Sequence, residues 1–235
     1  MSFEQLFESM YERGGMERSV YQQVLDDPKF QRWFKGSQVV DDDGIPFPCY
    51  HGTSADIKKF DHKKGDHFGI HFGTYNQADN RMTNLDTERA KQGENVDDPD
   101  ELLGATPGSN VTPVFLKITN PLLMADVSGW DNASMIAYSL WTELDWRGEE
   151  LRKVYDPEPG HDKNKQHMEI LRGLIKAKGY DGIQYANLYE ADSTEDEAHR
   201  LAYSWIVFDS NQIKSAIANK GTYDDSDNML ERRKQ

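Results

Sequence analysis

Two short stretches carry the residue types from which a site can be built: Cys49-Tyr50-His51-Gly52-Thr53 and, about twenty residues on, Gly69-Ile70-His71-Phe72-Gly73. The first comes directly off an apolar run, Ile45 to Tyr50, so it reads as a strand end that presents polar atoms to a pocket. Gly52 has no Cβ and lets a ligand approach the backbone, while His51 and Thr53 place a side-chain donor and acceptor on either side of it. Such an arrangement holds a flat polar group. Taken alone, His51 reads equally well as a strand-end histidine satisfied within the fold.

Other chemistries drawn from the same residues fit less well. His62, His67 and His71, with Asp61 or Asp66, have the donors of a metal site, but spacings of five and four in a Gly-flanked loop and strand match no standard zinc pattern. Cys49 and His51 share a strand face without the strand–turn–helix setting of a nucleophile. No metal is expected.

The elements that must position these residues follow from periodicity. Residues 2–35 read as about three short helical pieces forming a cap, with Phe3, Leu6, Phe7 and Met10, then Val20, Val24 and Leu25, then Phe30, Trp33 and Phe34 on their apolar faces. Val39-Val40 and Ile45 to Tyr50 flank Asp-Gly as a hairpin whose second arm, with Pro46 and Pro48, lies at an edge. Helix follows from Asn76, bearing Met82, Leu85 and Ala90; residues 91–113 are a polar loop, and Val114 to Ile118 a strand ended by Asn120-Pro121. Met135 to Leu144 and His161 to Lys178 are helices, the second capped by Gly179. A strand over Gly182 to Glu190, an acidic loop over 191–200 and a strand over Tyr203 to Phe208 complete the core.

Composition bounds the function. The chain has 235 residues, 37% hydrophobic and 29% charged, which suits one sizeable globular core. Its formal charge of -14 argues against a broad phosphate-backbone footprint, although a local basic patch would still serve a nucleic acid. The single cysteine allows no internal disulfide and fits a cytoplasmic setting. Neither a signal peptide nor a membrane span is read from the sequence.

Taken in order, the motifs resemble the ADP-ribosyltransferase superfamily, and most closely the group found in phage and prophage polyvalent proteins. The resemblance runs from Trp33-Phe34-Lys35-Gly36-Ser37 through Tyr50-His51-Gly52-Thr53 and Gly69-Ile70-His71-Phe72-Gly73. It continues in Gly179-Tyr180-Asp181-Gly182-Ile183, Asn187-Leu188-Tyr189-Glu190, Trp205-Ile206-Val207-Phe208-Asp209, Asn211-Gln212-Ile213-Lys214-Ser215 and Asn219-Lys220-Gly221-Thr222-Tyr223. It implies an α+β fold with a split β-sheet core, flanking helices and an N-terminal helical cap. The domains would be a helical segment over 1–35, a transferase-like domain over 36–223 and a polar tail over 224–235.

The resemblance also implies NAD as substrate, held by His51, Gly52 and Thr53, with His71 standing where related sequences stack a Tyr on nicotinamide; Phe72 and Ser204 join the cofactor set. In poly(ADP-ribose) polymerases the catalytic Glu precedes an aromatic-Ile-Val-Tyr-Asp strand, and that position here is Ser204, which cannot stabilise a cation by charge. Glu190 is the best substitute and, with His51, the expected catalytic pair; Asp192, Glu195 and Glu197 are weaker candidates. The acceptor would be a protein first and a nucleic acid second, in a bacterial cytoplasm or a virion. Two competing readings remain open. One is a transferase fold retained for binding as a virion or host-interaction protein. The other is a 2'-phosphotransferase-like activity on RNA, which would want several arginines where this stretch supplies Arg81.

Overall fold

The computed structural model describes residues 18–53, 57, 59–61, 67–91, 110–127, 129–155, 160–187, 203–217, 219 and 223, the side chains of 84–91 and 110 excepted. The helical pieces expected before Arg18, the acidic loop over 191–200 and the tail over 224–235 lie outside these residues.

Among the described residues, seven strands form two sheets. β1 (Cys49–Thr53), β3 (Asn110–Leu116) and β7 (Ile213–Ser215) make an antiparallel sheet in the order β1-β3-β7. β2 (Ile70–Phe72), β6 (Tyr203–Val207), β5 (Gly182–Ala186) and β4 (Pro121–Met124) make the other, in the order β2-β6-β5-β4. Within it β4 and β5 are parallel and the other pairs antiparallel. A parallel pair needs a crossover. Helices α4 (Ala133–Thr142), α5 (Glu149–Val154) and α6 (His161–Ala177) supply it and cover that side of the sheet. The chain is therefore α+β with its sheet split in two, as the resemblance implies.

The expected hairpin over 39–50 is reduced to a single bridge, Val40 to Pro46. The Asp41 carboxylate accepts from the N–H groups of Asp43 and Ile45, and Gly44 takes a φ of +77° in the turn. Pro46 and Pro48 have no N–H to offer a ladder, so β1 starts only at Cys49.

β3 starts four residues before the expected Val114, and so carries Pro113 within the central strand of its sheet. Tyr50, opposite Pro113, directs its own N–H and C=O away from β3, to Gly73. The Tyr50–Pro113 pair is thus one whose N–H groups do not bond across the ladder, where proline loses nothing. On its other side the Pro113 carbonyl accepts from Ala216.

Three of these elements were not anticipated from sequence: β4, α5 and β7, the last only three residues long. β4 follows Asn120-Pro121, which reads as a terminator but is the start of a strand, and α5 is too short for periodicity to declare.

On the first sheet's outer side lie α1 (Arg18–Leu25) and α2 (Pro28–Phe34), while α3 (Tyr75–Lys91) follows β2. α2 starts at Asp27, whose side chain accepts from Lys29 N–H, and Pro28 occupies the first position, where a missing donor costs nothing. Its aromatic face is fully committed: the Phe30 ring lies 4.7 Å from Phe115 and 5.2 Å from Tyr223. Phe30, Trp33 and Phe34 belong to the same hydrophobic cluster as Cys49, Val114, Leu116 and Ile213. Residues 18–34 therefore help build the core beneath β1. We expect Phe30→Ala to lower unfolding free energy by about 3–5 kcal/mol. Chemical denaturation checks it, and a loss below about 1 kcal/mol would show that the helices only rest on the sheet.

Candidate functional site

The site forms where the two sheets meet. Tyr50 and Gly73 exchange backbone hydrogen bonds of 2.8 and 3.0 Å, so β1 of one sheet is bridged to the chain just after β2 of the other. One residue further along β1, the His51 ring crosses the same seam: its Nδ1 lies 2.8 Å from the His71 carbonyl oxygen. A carbonyl only accepts, so Nδ1 carries the proton and a neutral His51 offers a lone pair at Nε2. The ring is braced edge-on by Phe60 at 5.0 Å and by Phe72 at 5.4 Å.

His71 belongs to the opposite face of β2. Its Nδ1 is 3.1 Å from the Tyr185 hydroxyl, and the rings of His67, Trp130 and Tyr185 surround it at 5.7, 5.8 and 5.9 Å. Its Nε2 is buried without a partner among the described residues. Burial holds both imidazoles below the usual histidine pKa, His71 far below, and the positive charges of His67 and Arg81 add to the effect. Both rings are neutral at neutral pH.

α3 seats against the seam. Thr74 and Gln77 form a reciprocal cap: Gln77 N–H donates to Thr74 Oγ1 and Thr74 N–H to Gln77 Oε1, at 3.2 and 2.8 Å. Gln77 Oε1 also accepts from the Ser204 hydroxyl at 3.2 Å, and Ser204 Oγ accepts from Asn187 Nδ2 at 3.1 Å. All three side chains are buried.

The residues singled out from sequence thus fall into different places. His51 and His71 are brought together, and Thr53 ends β1 opposite Asn110. Gly52 has a reason to be glycine that the sequence did not give: a Cβ there would strike the Ala78 carbonyl oxygen of α3, so the open side of the residue is taken by a helix. Phe72 is buried on the core face, supporting His51. Ser204 is buried and bonded to Gln77 and Asn187. The strand expected to reach Glu190 ends at Ala186; Glu190 lies outside the described residues, as do Asp192, Glu195, Glu197, His62 and Asp66. Cys49 is fully buried, which pushes its thiol pKa up and leaves no thiolate beside His51.

Sequence reasoning missed Tyr185, Trp130 and Gln77. Tyr185 lies two residues after Ile183, which pairs with the Ile206 that pairs with His71, so strand alternation alone puts it on the His71 face. Gln77 was legible in Thr74-x-x-Gln77, a cap signature. Trp130 follows β4, an element that was not anticipated, and gave no signal.

A family model described as ADP-ribosyltransferase in polyvalent proteins matches residues 41–223. No curated protein and no solved structure matches the chain.

The lowered His71 pKa has a thermodynamic sign. The unfolded chain binds a proton near 6.5 while the folded chain resists it, so stability rises with pH across that window and is lost as pH falls below about 6.5. His71 alone contributes up to about 1.4 kcal/mol per pH unit there. We expect His71→Phe to flatten the dependence of melting temperature on pH between about 6.5 and 5. Superimposable profiles for parent and variant would show that His71 is not held neutral by the fold.

Proposed function

The chain belongs to the ADP-ribosyltransferase family of polyvalent proteins, and on that premise we propose that it is an NAD-dependent enzyme that moves ADP-ribose from NAD to a macromolecule and releases nicotinamide. The observation that carries this reading is the His51–His71 pairing across the seam of the split sheet.

The reaction breaks the bond between nicotinamide and the ribose anomeric carbon, and the bonding pair leaves with the ring nitrogen, which becomes neutral. Positive charge builds on the ribose as the bond lengthens. In the proposed arrangement the neutral His51 accepts a hydrogen bond from a hydroxyl of the nicotinamide-side ribose through Nε2. Gly52 and Thr53 offer backbone and side-chain groups to the carboxamide, and His71 packs on the pyridine ring. Phe72 and Ser204 act from behind, Phe72 by bracing His51 and Ser204 by holding Gln77. The acceptor then forms a bond to the anomeric carbon and gives up a proton.

The carboxylate that stabilises the ribose cation is assigned to Glu190, three positions after Asn187 in the chain. We place the activity in the host cytoplasm of a phage-encoded protein, with a protein as the first acceptor to test and a nucleic acid as the second. A second reading, a binding protein built on the transferase fold, is favoured by one observation: Ser204, which by the resemblance stands where a carboxylate would, is hydrogen-bonded in a neutral network with Gln77 and Asn187.

Two measurements separate these readings. His51→Ala should weaken NAD binding by about 1–3 kcal/mol in calorimetry; unchanged affinity in a folded variant would remove His51 from the site. Glu190→Gln should keep NAD affinity while nicotinamide release in the presence of cell lysate falls by several kcal/mol of transition-state stabilisation. A parent protein that binds NAD without releasing nicotinamide under any condition supports the binding protein instead.

A further inference from the structure

The surroundings of His71 go beyond a ring that stacks. His71, Ile206, Ile183, Ser204 and Tyr185 share one face of the second sheet, so Tyr185 reaches diagonally across β6 to place its hydroxyl 3.1 Å from His71 Nδ1. A phenol O–H is the better donor of the two groups and a neutral imidazole nitrogen the better acceptor. With Tyr185 donating, the single proton of neutral His71 resides on Nε2. That nitrogen is buried and has no partner among the described residues. A buried N–H without an acceptor is costly, and where one persists in a site it points to a group supplied by a ligand.

The access route follows from the rings. Trp130 and Tyr185 are buried, at 8% and 4% exposure, and are packed on each other at 4.9 Å, whereas the His67 ring is exposed. Among the described rings around His71, that of His67 is the one at the surface. The base of this cage is fixed: Phe68 donates its N–H to the Trp130 carbonyl at 2.8 Å, and its own carbonyl accepts from the buried Arg172 guanidinium at 2.7 Å.

We propose that Tyr185 is a positioning residue that holds His71 as its Nε2–H tautomer, making His71 a hydrogen-bond donor to a carbonyl oxygen of the ligand, in this site the carboxamide oxygen of nicotinamide. The assignment of that oxygen rests on the NAD reading above; the tautomer does not. A tyrosine at position 71, as in the poly(ADP-ribose) polymerase branch, would bring a ring without this donor at the same place.

The test has two arms. Nitrogen NMR of the full chain labelled at histidine reads the tautomer directly: His71 should show a protonated Nε2 and an acceptor Nδ1, and the Nδ1 signal should move in Tyr185→Phe. A protonated Nδ1 in the parent overturns the proposal, as does a Tyr185→Phe spectrum identical to it. In the second arm, calorimetry compares NAD with its thionicotinamide analogue, whose sulfur is the weaker acceptor. The parent should prefer NAD by about three- to tenfold and Tyr185→Phe should lose most of that preference. Equal preference in parent and variant overturns the donor role. A parent that binds neither nucleotide while showing the expected tautomer overturns the NAD reading and leaves the Tyr185 assignment standing. Should Tyr185→Phe unfold, Tyr185→Leu, which also removes the hydroxyl, gives the same two readouts, and the tautomer of the parent is read without any variant.

Discussion

Everything in the site depends on how closely two sheets and one helix approach at a single seam. Tyr50 and Gly73 bond backbone to backbone across it, and α3 lies over both edges at once. The close approach is possible because each sheet presents a glycine to the helix. A Cβ at Gly52 would strike the Ala78 carbonyl, and one at Gly73 would strike Gln77 and come within 3.0 Å of Ser204 Oγ. Neither glycine is chosen for an unusual backbone angle; φ is not positive at either. They are there because consecutive residues in the first turn of one helix, Gln77 and Ala78, need the space.

That seam sets the electrostatics. The His51 side chain is spent on the His71 carbonyl, which ties the two histidine backbones into one unit and fixes which nitrogen of His51 faces outward. Burial keeps both rings neutral in a chain whose net formal charge is -14. Arg81, from the helix seated on the seam, adds a positive field at both imidazoles and pushes protonation further away. The outcome is two neutral imidazoles on the two sides of one strand, each oriented by a hydrogen bond at Nδ1.

Much of this was legible in the residues, and the failures have physical causes. His51 and His71 announced themselves because polar residues broke apolar strand patterns beside glycines. Gly52 was legible as important, but the helix that also needs its open side was not, since sequence cannot tell a ligand from a helix as the thing that needs room. β3 was cut short because Pro113 signals a strand end, and its tolerance depends on which way Tyr50 points its backbone, a matter of pairing register. Tyr185 was within reach of simple alternation once β5 was recognised. Trp130 was not, because its place is set by the Phe68–Trp130 backbone bond and by ring packing across two elements.

The position of Ser204 illustrates why a motif departure is rarely a single change. Gln77 Oε1 takes hydrogen bonds from Thr74 N–H and from Ser204, so both of its lone pairs are used and its orientation is fixed by the helix cap. A carboxylate at 204 has no hydrogen to give and would set two acceptors against each other in a buried space. It would also meet the region that Gly73 keeps clear. Asn187 completes the adaptation by donating to the hydroxyl from β5's end. The surroundings are thus built for a neutral hydroxyl at 204.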